Sequence, residues 1–312
     1  MQNKKTATAL KICHLYYDDG LSQNEIAKII GISRPTVSRL LQYSHETGLV
    51  KIEIADPATD LDVLSKQLET KYNLKKVLIA YDISDNYAAI NEKIGQLAAE
   101  YLDEIVQNGY SIGISWGKTI NAVANNLKTS EKSNIKVVQL KGSVASSDMN
   151  NFATEILEKF GKAFQTNAIN LPLPVIFDNA TTKQIVLEDR FIKKIIDEGK
   201  KTNIALFTCG TVRNDALLFN LGYLNQKEIT QLQKNSVGDV MSRFITKDGK
   251  IANQTINDRT VGSDLDELKN KDYSILVAGS MKKVSSIKGA LAGNYANVLI
   301  TDYGVAQKLL SE

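Results

Sequence analysis

In QNEIAKIIGISRPTVSRLL, residues 23–41, small Ala27 precedes Gly31 by four positions, and Ile32, Val37 and Leu40 follow at helical spacing. A small residue in one helix, a glycine at the turn and apolar residues in the next let two short helices cross tightly, the helix-turn-helix arrangement. Ser22 stands before the first helix with Glu25 three residues on, a capping box, and Ile26, Ala27, Ile29 and Ile30 form its apolar face. Ser33 caps the next helix, whose first turn tolerates Pro35 because an N–H there has no intrahelical partner. Val37, Leu40 and Leu41 point inward. Arg34, Thr36, Ser38, Arg39 and Gln42 are left on the polar side.

Upstream, residues 6–17 carry Ala9, Leu10, Cys13, Tyr16 and Tyr17 as a helical stripe that Gly20 stops. Downstream, LVKIEIA, residues 49–55, alternates Val50, Ile52 and Ile54 with charged residues and predicts a strand, a small wing. Asp56-Pro57 marks the boundary of this all-α module. The domains expected are therefore 1–56 and 57–312, the second starting with a linker helix over 57–74. Asp60 is its expected cap, and Leu61, Leu64, Leu68 and Tyr72 its apolar stripe, suited to linkage or dimerisation.

A tight helix crossing also serves a plain dimerisation module. The charge distribution favours DNA: of 38 basic and 35 acidic residues in a chain of 312, residues 1–52 hold 7 and 4, so the whole net charge of +3 lies there. Arg34 or Arg39 can donate two hydrogen bonds to a guanine, Ser33, Thr36 and Ser38 reach phosphates or bases, and Gln23 suits a phosphate. Groove readers generally act as symmetric pairs, so a homodimer or homotetramer on a partly palindromic operator is expected.

With 43% hydrophobic, 7% aromatic and 23% charged residues, the composition is that of a globular protein. Two distant cysteines, Cys13 and Cys209, give no disulfide framework, and His14 and His45 have no metal-ligand spacing, so no metal or cofactor is expected. The polar start and the lack of a long apolar run point to a cytoplasmic protein without membrane insertion.

From Lys75 onward, apolar runs ending in Gly or Asp alternate with helices: KVLIAYD, YSIGISWG, NIKVVQLKG, PVIFDNA, NIALFTCG, YSILVAGS and ANVLITD. Continuous apolar strands of this kind build a mostly parallel sheet buried on both faces, an α/β Rossmann-like domain, with residues 87–106 as one covering helix. Ligands of such sheets bind at the carboxyl ends of the strands. There GISWGKT, with Gly113, Ser115, Gly117 and Thr119, can hold a phosphate against free backbone N–H groups. It is not a P-loop, because Ile112 occupies the position of the required first glycine. Lys141 closes the strand VVQL, as a solvated cap or, if it faces the crevice, as a desolvated amine able to form a Schiff base with an aldehyde. Asp178, Gly210, Thr211 and Asp239 end other elements. Gly279 precedes a helix start at which Lys282 and Lys283 can meet phosphate.

The ordered series RPTVSRLL, GISWGKT, VVQLKG, LPLPVIFDNA, GTVRNDALLFNLGY, VGDVMSRF, INDRTVG and AGSMKKVSSIKGALAGNYANVLITD resembles the SorC family of sugar-binding bacterial transcription regulators, most of all its deoxyribonucleoside-regulating members. The likeness covers essentially the whole chain. It implies a larger domain similar in fold to sugar-phosphate isomerases and a repressor released from its operator by a phosphorylated sugar. It further implies that the GISWGKT loop and Lys283 form the phosphate end of the pocket, while Gln139, Lys141, Asp178 and Asp239 face the sugar. The implied effector is deoxyribose-5-phosphate, whose open-chain aldehyde makes Lys141 an intelligible Schiff-base partner. The alternatives are a regulator responding to another sugar phosphate and, from another class, a sugar-phosphate isomerase or aldolase with an attached N-terminal module. Against the enzyme, no acid/base pair with a histidine exists after His45.

Overall fold

The computed structural model describes residues 2–51, 57–81, 86–143 and 152–311. It divides into two compact units, residues 1–56 and 57–312.

The first unit is helical. Helices Gln2–Cys13, Gln23–Ile30 and Arg34–Glu46 surround a core of Ala9, Ile12, Cys13, Ile26, Val37, Leu40 and Leu41. The Ser22 capping box forms in both directions, and the Ser33 hydroxyl accepts the Thr36 N–H. Three expectations need correction. The stripe over 6–17 breaks at Cys13 into a π-helical turn, His14–Asp18, which leaves Tyr16 and Tyr17 exposed, and Leu10 is also outside the core. Ile29 is 57% exposed, because the core takes Ile26, with Ala27 and Ile30 packed behind it, from the other side of so short a helix. Leu49 and Val50 form a bend and Lys51 is irregular, so no strand forms there, and the rest of the proposed wing lies outside the described residues.

The second unit opens with helix Pro57–Tyr72, which starts at Pro57 and so places Asp60 inside the helix instead of at its cap. Proline suits a first helical position, where its fixed φ is already helical. Six strands then form the parallel sheet: β1 Lys76–Ala80, β2 Ser111–Ile114, β3 Lys136–Gln139, β4 Ile204–Phe207, β8 Tyr273–Val277 and β9 Val298–Asp302, in the order β1-β9-β8-β4-β2-β3. Between β4 and β8 the chain adds a small antiparallel sheet of β5 Cys209–Gly210, β6 Gly238–Val240 and β7 Arg243–Ile245. The apolar runs are buried on both sides, β4 over all four residues, as a sheet between helical layers requires. PVIFDNA is the exception. It makes only isolated bridges, Ser143 with Pro174 and Ile176 with Thr260, since prolines at 172 and 174 deny it ladder donors.

The chain runs outward from β2 to β3, then returns to the other side of β2 and proceeds through β4, β8 and β9 in the opposite direction. The loops after β2 and β4 therefore part, opening a crevice at the carboxyl end of the sheet.

Candidate functional site

In the N-terminal unit, the helix Arg34–Glu46 presents Arg34, Ser38, Arg39 and Gln42 to solvent, while Thr36 is half-buried. Ser33 is exposed at the cap and Gln23 half-buried at the start of the preceding helix. Arg39 Nε donates weakly to the Pro35 carbonyl at 3.4 Å, and Gln42 Nε2 to Glu46 Oε1 at 2.8 Å. The guanidinium ends stay available, on the face opposite Val37, Leu40 and Leu41. This is the display of donors that a major groove accepts.

In the second unit, Ser115, Trp116 and Gly117 follow β2, Thr208 follows β4, and the helix Lys118–Asn126 begins beside them. Gly117 adopts φ 131°, a backbone conformation that a side chain would strain, and thereby turns the chain into the helix start. After β8, a 3-10 turn, Met281–Lys283, sends Lys283 across the crevice. Its Nζ donates to Thr208 Oγ1 at 3.3 Å and to Thr119 Oγ1 at 3.4 Å, joining the two diverging loops. Lys283 is buried and Lys282 exposed, so only Lys283 reaches this cleft. Tyr87 completes the cationic end. Burial raises its phenol pKa, but the Lys283 ammonium and hydrogen bonds with Asn91, Thr119 and Lys283 outweigh this and hold it below the ordinary tyrosine value.

Lys141 is likewise turned inward, at 5% exposure, not a solvated cap. Its Nζ lies 3.7 Å from the centroid of the Trp116 ring and donates to Ser242 Oγ at 3.2 Å. Trp116 is fixed in turn by its Nε1–H, given to the Gly142 carbonyl at 2.7 Å. Burial pulls the Lys141 pKa down to about 8, with Asp239 opposing. Burial pushes the Asp239 carboxyl up, countered by Lys141, by the Ser242 N–H and by Lys283. Asp239 Oδ2 accepts that N–H at 3.1 Å. Ser242 and Met241 form the two-residue loop between β6 and β7, both at positive φ (65° and 53°), a conformation costing non-glycine residues on the order of 1 kcal/mol or more each. Such strain persists where surrounding contacts hold it, here on a residue that touches both Lys141 and Asp239.

Ser115 Oγ and Gln139 Oε1 are among the buried polar atoms without a hydrogen-bond partner among the described residues, although Gln139 Nε2 donates to the Lys141 carbonyl at 2.6 Å. Buried polar atoms without partners are costly. Cys209, beside this cluster, has its thiol pushed up to about 12 by burial and is no nucleophile.

The predicted residues thus fall into three sets. Ser115, Gly117, Thr119 and Lys283 gather at the cationic end, and Gln139, Lys141 and Asp239 gather around Trp116 and Ser242. Gly113, Gly210 and Gly279 are spacing residues. A Cβ at 113 would stand 2.6 Å from the Leu140 side chain, at 210 it would stand 2.0 Å from Asp239 Oδ1, and at 279 it would stand 2.7 Å from Asp302 Oδ2. Thr211 is half-buried beside Gly210. Asp178 departs from expectation: exposed, it lines a cleft with Tyr223, Glu228 and Arg259 that holds none of the other predicted effector residues, and its carbonyl accepts Arg259 at 3.2 Å. The failed strand PVIF explains this, because Asp178 follows no sheet strand. Trp116, Thr208, Ser242 and Tyr87 were missed. Trp116, the only tryptophan in the chain, lay within the quoted loop, but position in sequence did not reveal its contact with Lys141.

The family model of a sugar-binding domain matches residues 56–311, and that of the MarR family matches residues 14–59. The deoxyribonucleoside regulator of Bacillus subtilis (strain 168) is 47% identical over 312 residues, all of both chains. The sorbitol operon regulator of Klebsiella pneumoniae is 28% identical over 307 residues, 96% of each. Among solved structures, the full-length sorbitol operon regulator SorC from Klebsiella pneumoniae superposes with a TM-score of 0.75 at 26% identity, covering 98% of this chain and 99% of that one. A transcriptional regulator from Streptococcus pneumoniae TIGR4 gives 0.77 at 25% identity over 82% and 98%.

Proposed function

The chain belongs to the SorC family of sugar-binding transcriptional regulators, and from that premise we propose that it is a repressor that leaves its operator on binding deoxyribose-5-phosphate. The family's members found here are regulators, so the isomerase or aldolase reading is set aside. Ser33, Arg34, Thr36, Ser38, Arg39, Gln42 and Gln23 contact the operator. The phosphate meets Lys283, Thr119 and the N–H groups after Gly117, where a helix start and a cation coincide. The aldehyde carbon reaches Lys141 and forms an imine.

One observation carries this reading: a buried lysine, its pKa lowered to about 8, whose neighbour Asp239 is also within electrostatic reach of Lys283. An amine titrating there is unprotonated often enough near neutrality to attack a carbonyl. Moving a population from 1:99 to 99:1 takes ~5.5 kcal/mol of differential affinity, which several sites in an oligomer share. A two-fold oligomer is part of the proposal. It is supported by Ile185 and Phe191, 65% and 64% exposed on helices Ala180–Leu187 and Arg190–Lys200, an apolar face of the kind a second copy covers.

Operator binding is to be followed by fluorescence anisotropy at fixed salt while deoxyribose-5-phosphate and other sugar phosphates are titrated. Selective release by deoxyribose-5-phosphate supports the effector; equal release by all of them, or by none, overturns it. Borohydride reduction with ligand adds mass at Lys141, and equal trapping in Lys141→Ala disproves the imine.

A further inference from the structure

Imine formation needs more than an amine. The nitrogen must attack unprotonated, and the carbinolamine that results expels its hydroxyl as water only when an acid delivers a proton to that oxygen. Lys141 meets the first demand by its burial. The second falls to a group near Lys141 but not paired with it.

Asp239 has that placement. It is 7% exposed, and Ser242 stands between it and the lysine, taking the Lys141 hydrogen bond on Oγ at 3.2 Å and giving its N–H to Asp239 Oδ2 at 3.1 Å. Among the described residues the two side chains form no ion pair, so Lys141 only partly counters the burial that raises the Asp239 carboxyl. Gly210 packs against Oδ1, where a Cβ would stand 2.0 Å away, and this close approach fixes the carboxyl plane. The other ionisable groups bearing on Asp239 are Lys283, at the cationic end, and Cys209. A carboxyl desolvated in this way retains its proton more readily than one in water.

We infer that Asp239 is the general acid that dehydrates the carbinolamine on Lys141, with Ser242 as a positioning residue. The inference rests on the imine reading above and extends to aldehyde-bearing sugar phosphates as a class. The Lys141 lone pair forms the C–N bond, the carbonyl π electrons pass to oxygen, and the nitrogen's proton moves to that oxygen. Protonated Asp239 then gives its proton to the hydroxyl, the C–O bond breaks, water leaves, and the nitrogen lone pair closes the C=N bond. An iminium and a carboxylate replace an amine and an acid that were uncharged, so charge balances.

The test uses the full chain with deoxyribose-5-phosphate and cyanoborohydride, the rate of mass gain being followed by intact mass spectrometry. Asp239→Asn is expected to slow adduct formation by roughly 10²- to 10⁴-fold and to abolish the limb of the pH–rate profile on which activity falls as Asp239 loses its proton. Asp239→Ala, which leaves space in place of the carboxyl, regains rate when formate is added, a rescue that a merely structural role would not give. Wild-type rate and profile in Asp239→Asn overturn the inference, as does failure of formate to act on a folded Asp239→Ala protein. Absence of any Lys141 adduct in the wild type overturns the imine reading itself, and is distinguished by that control.

Discussion

Lys141 Nζ stands 3.7 Å from the centre of the Trp116 ring, so a buried cation faces the negative side of an aromatic quadrupole. The contact favours the protonated lysine and limits how far burial depresses its pKa. Trp116→Ala removes that support together with much packing. Expected are a loss of about 3–5 kcal/mol of stability in urea and a shift of the pH–rate midpoint for adduct formation to a lower pH than in wild type. Trp116→Phe, which keeps a ring face, should retain more of the wild-type midpoint. An unchanged midpoint in both variants would show that the ring does not act on the amine.

The same lysine makes stability depend on pH. Its ordinary value is 10.5 and its folded value about 8, so between these the unfolded chain binds the extra proton. Stability contributed by the neutral amine is therefore fully present above 10.5 and lost as pH falls to about 8, a difference on the order of 3 kcal/mol for so buried a group. In ligand-free protein, Lys141→Met should be more stable than wild type near pH 8, and the advantage should fade toward pH 10.5. Urea denaturation across that window measures it, and a constant difference would contradict the linkage.

Adjacent Lys282 and Lys283 should separate cleanly. Lys283 bonds Thr208 and Thr119 across the cleft, whereas Lys282 is exposed. Lys283→Met should raise the sugar-phosphate concentration needed for operator release by roughly 10- to 100-fold, the worth of a hydrogen bond to a charged group. Lys282→Met should leave it near wild type. Anisotropy titrations decide, and equal effects would remove the distinction.

Arg34 and Arg39 should differ by their kind of contact. A base-reading arginine changed to alanine costs about 1–3 kcal/mol and relaxes sequence preference, while a phosphate-contacting one weakens binding uniformly and lowers the salt slope by about 1. Anisotropy across a salt series on operator and scrambled DNA assigns each. If neither substitution alters affinity or slope, this helix is not the reading element.

Much of this was legible because it depends on local chemistry. Ser22, Glu25, Ser33 and Pro35 mark the two helices by capping rules that act within four residues, and the apolar runs of β4, β8 and β9 announce a sheet covered on both faces. Lys141 and Lys283 were found because strand ends and helix starts converge in such sheets, whereas Asp239, expected at an element end, lies within β6 of the small antiparallel sheet. The lapses share another cause. Ile29 and Tyr16 have suitable periodicity, but the number of apolar positions a small core absorbs is set by tertiary packing. Asp178 was placed by a strand that Pro172 and Pro174 prevent. Trp116 and Ser242 matter through contacts between segments far apart in sequence, Ser242 in a turn that periodicity does not register.

Gly210 and Asp239 provide the sharpest check on the cleft, because they pair directly across β5 and β6. Adding one methyl group at 210 would put a carbon 2.0 Å from Asp239 Oδ1, well inside any tolerable contact, so either the carboxyl rotates away or the β5–β6 pair separates. Overpacking of this kind costs about 1–3 kcal/mol. If the carboxyl yields, Gly210→Ala should still fold and bind operator as wild type without ligand, yet form the Lys141 adduct slowly and release DNA only at higher sugar phosphate. If the strands yield instead, stability falls and adduct formation changes little, because Asp239 keeps its place beside Ser242. Thermal melting and trapping rate on the same preparation separate the outcomes. Wild-type melting together with wild-type trapping would mean that the carboxyl's position against Gly210 has no bearing on the site.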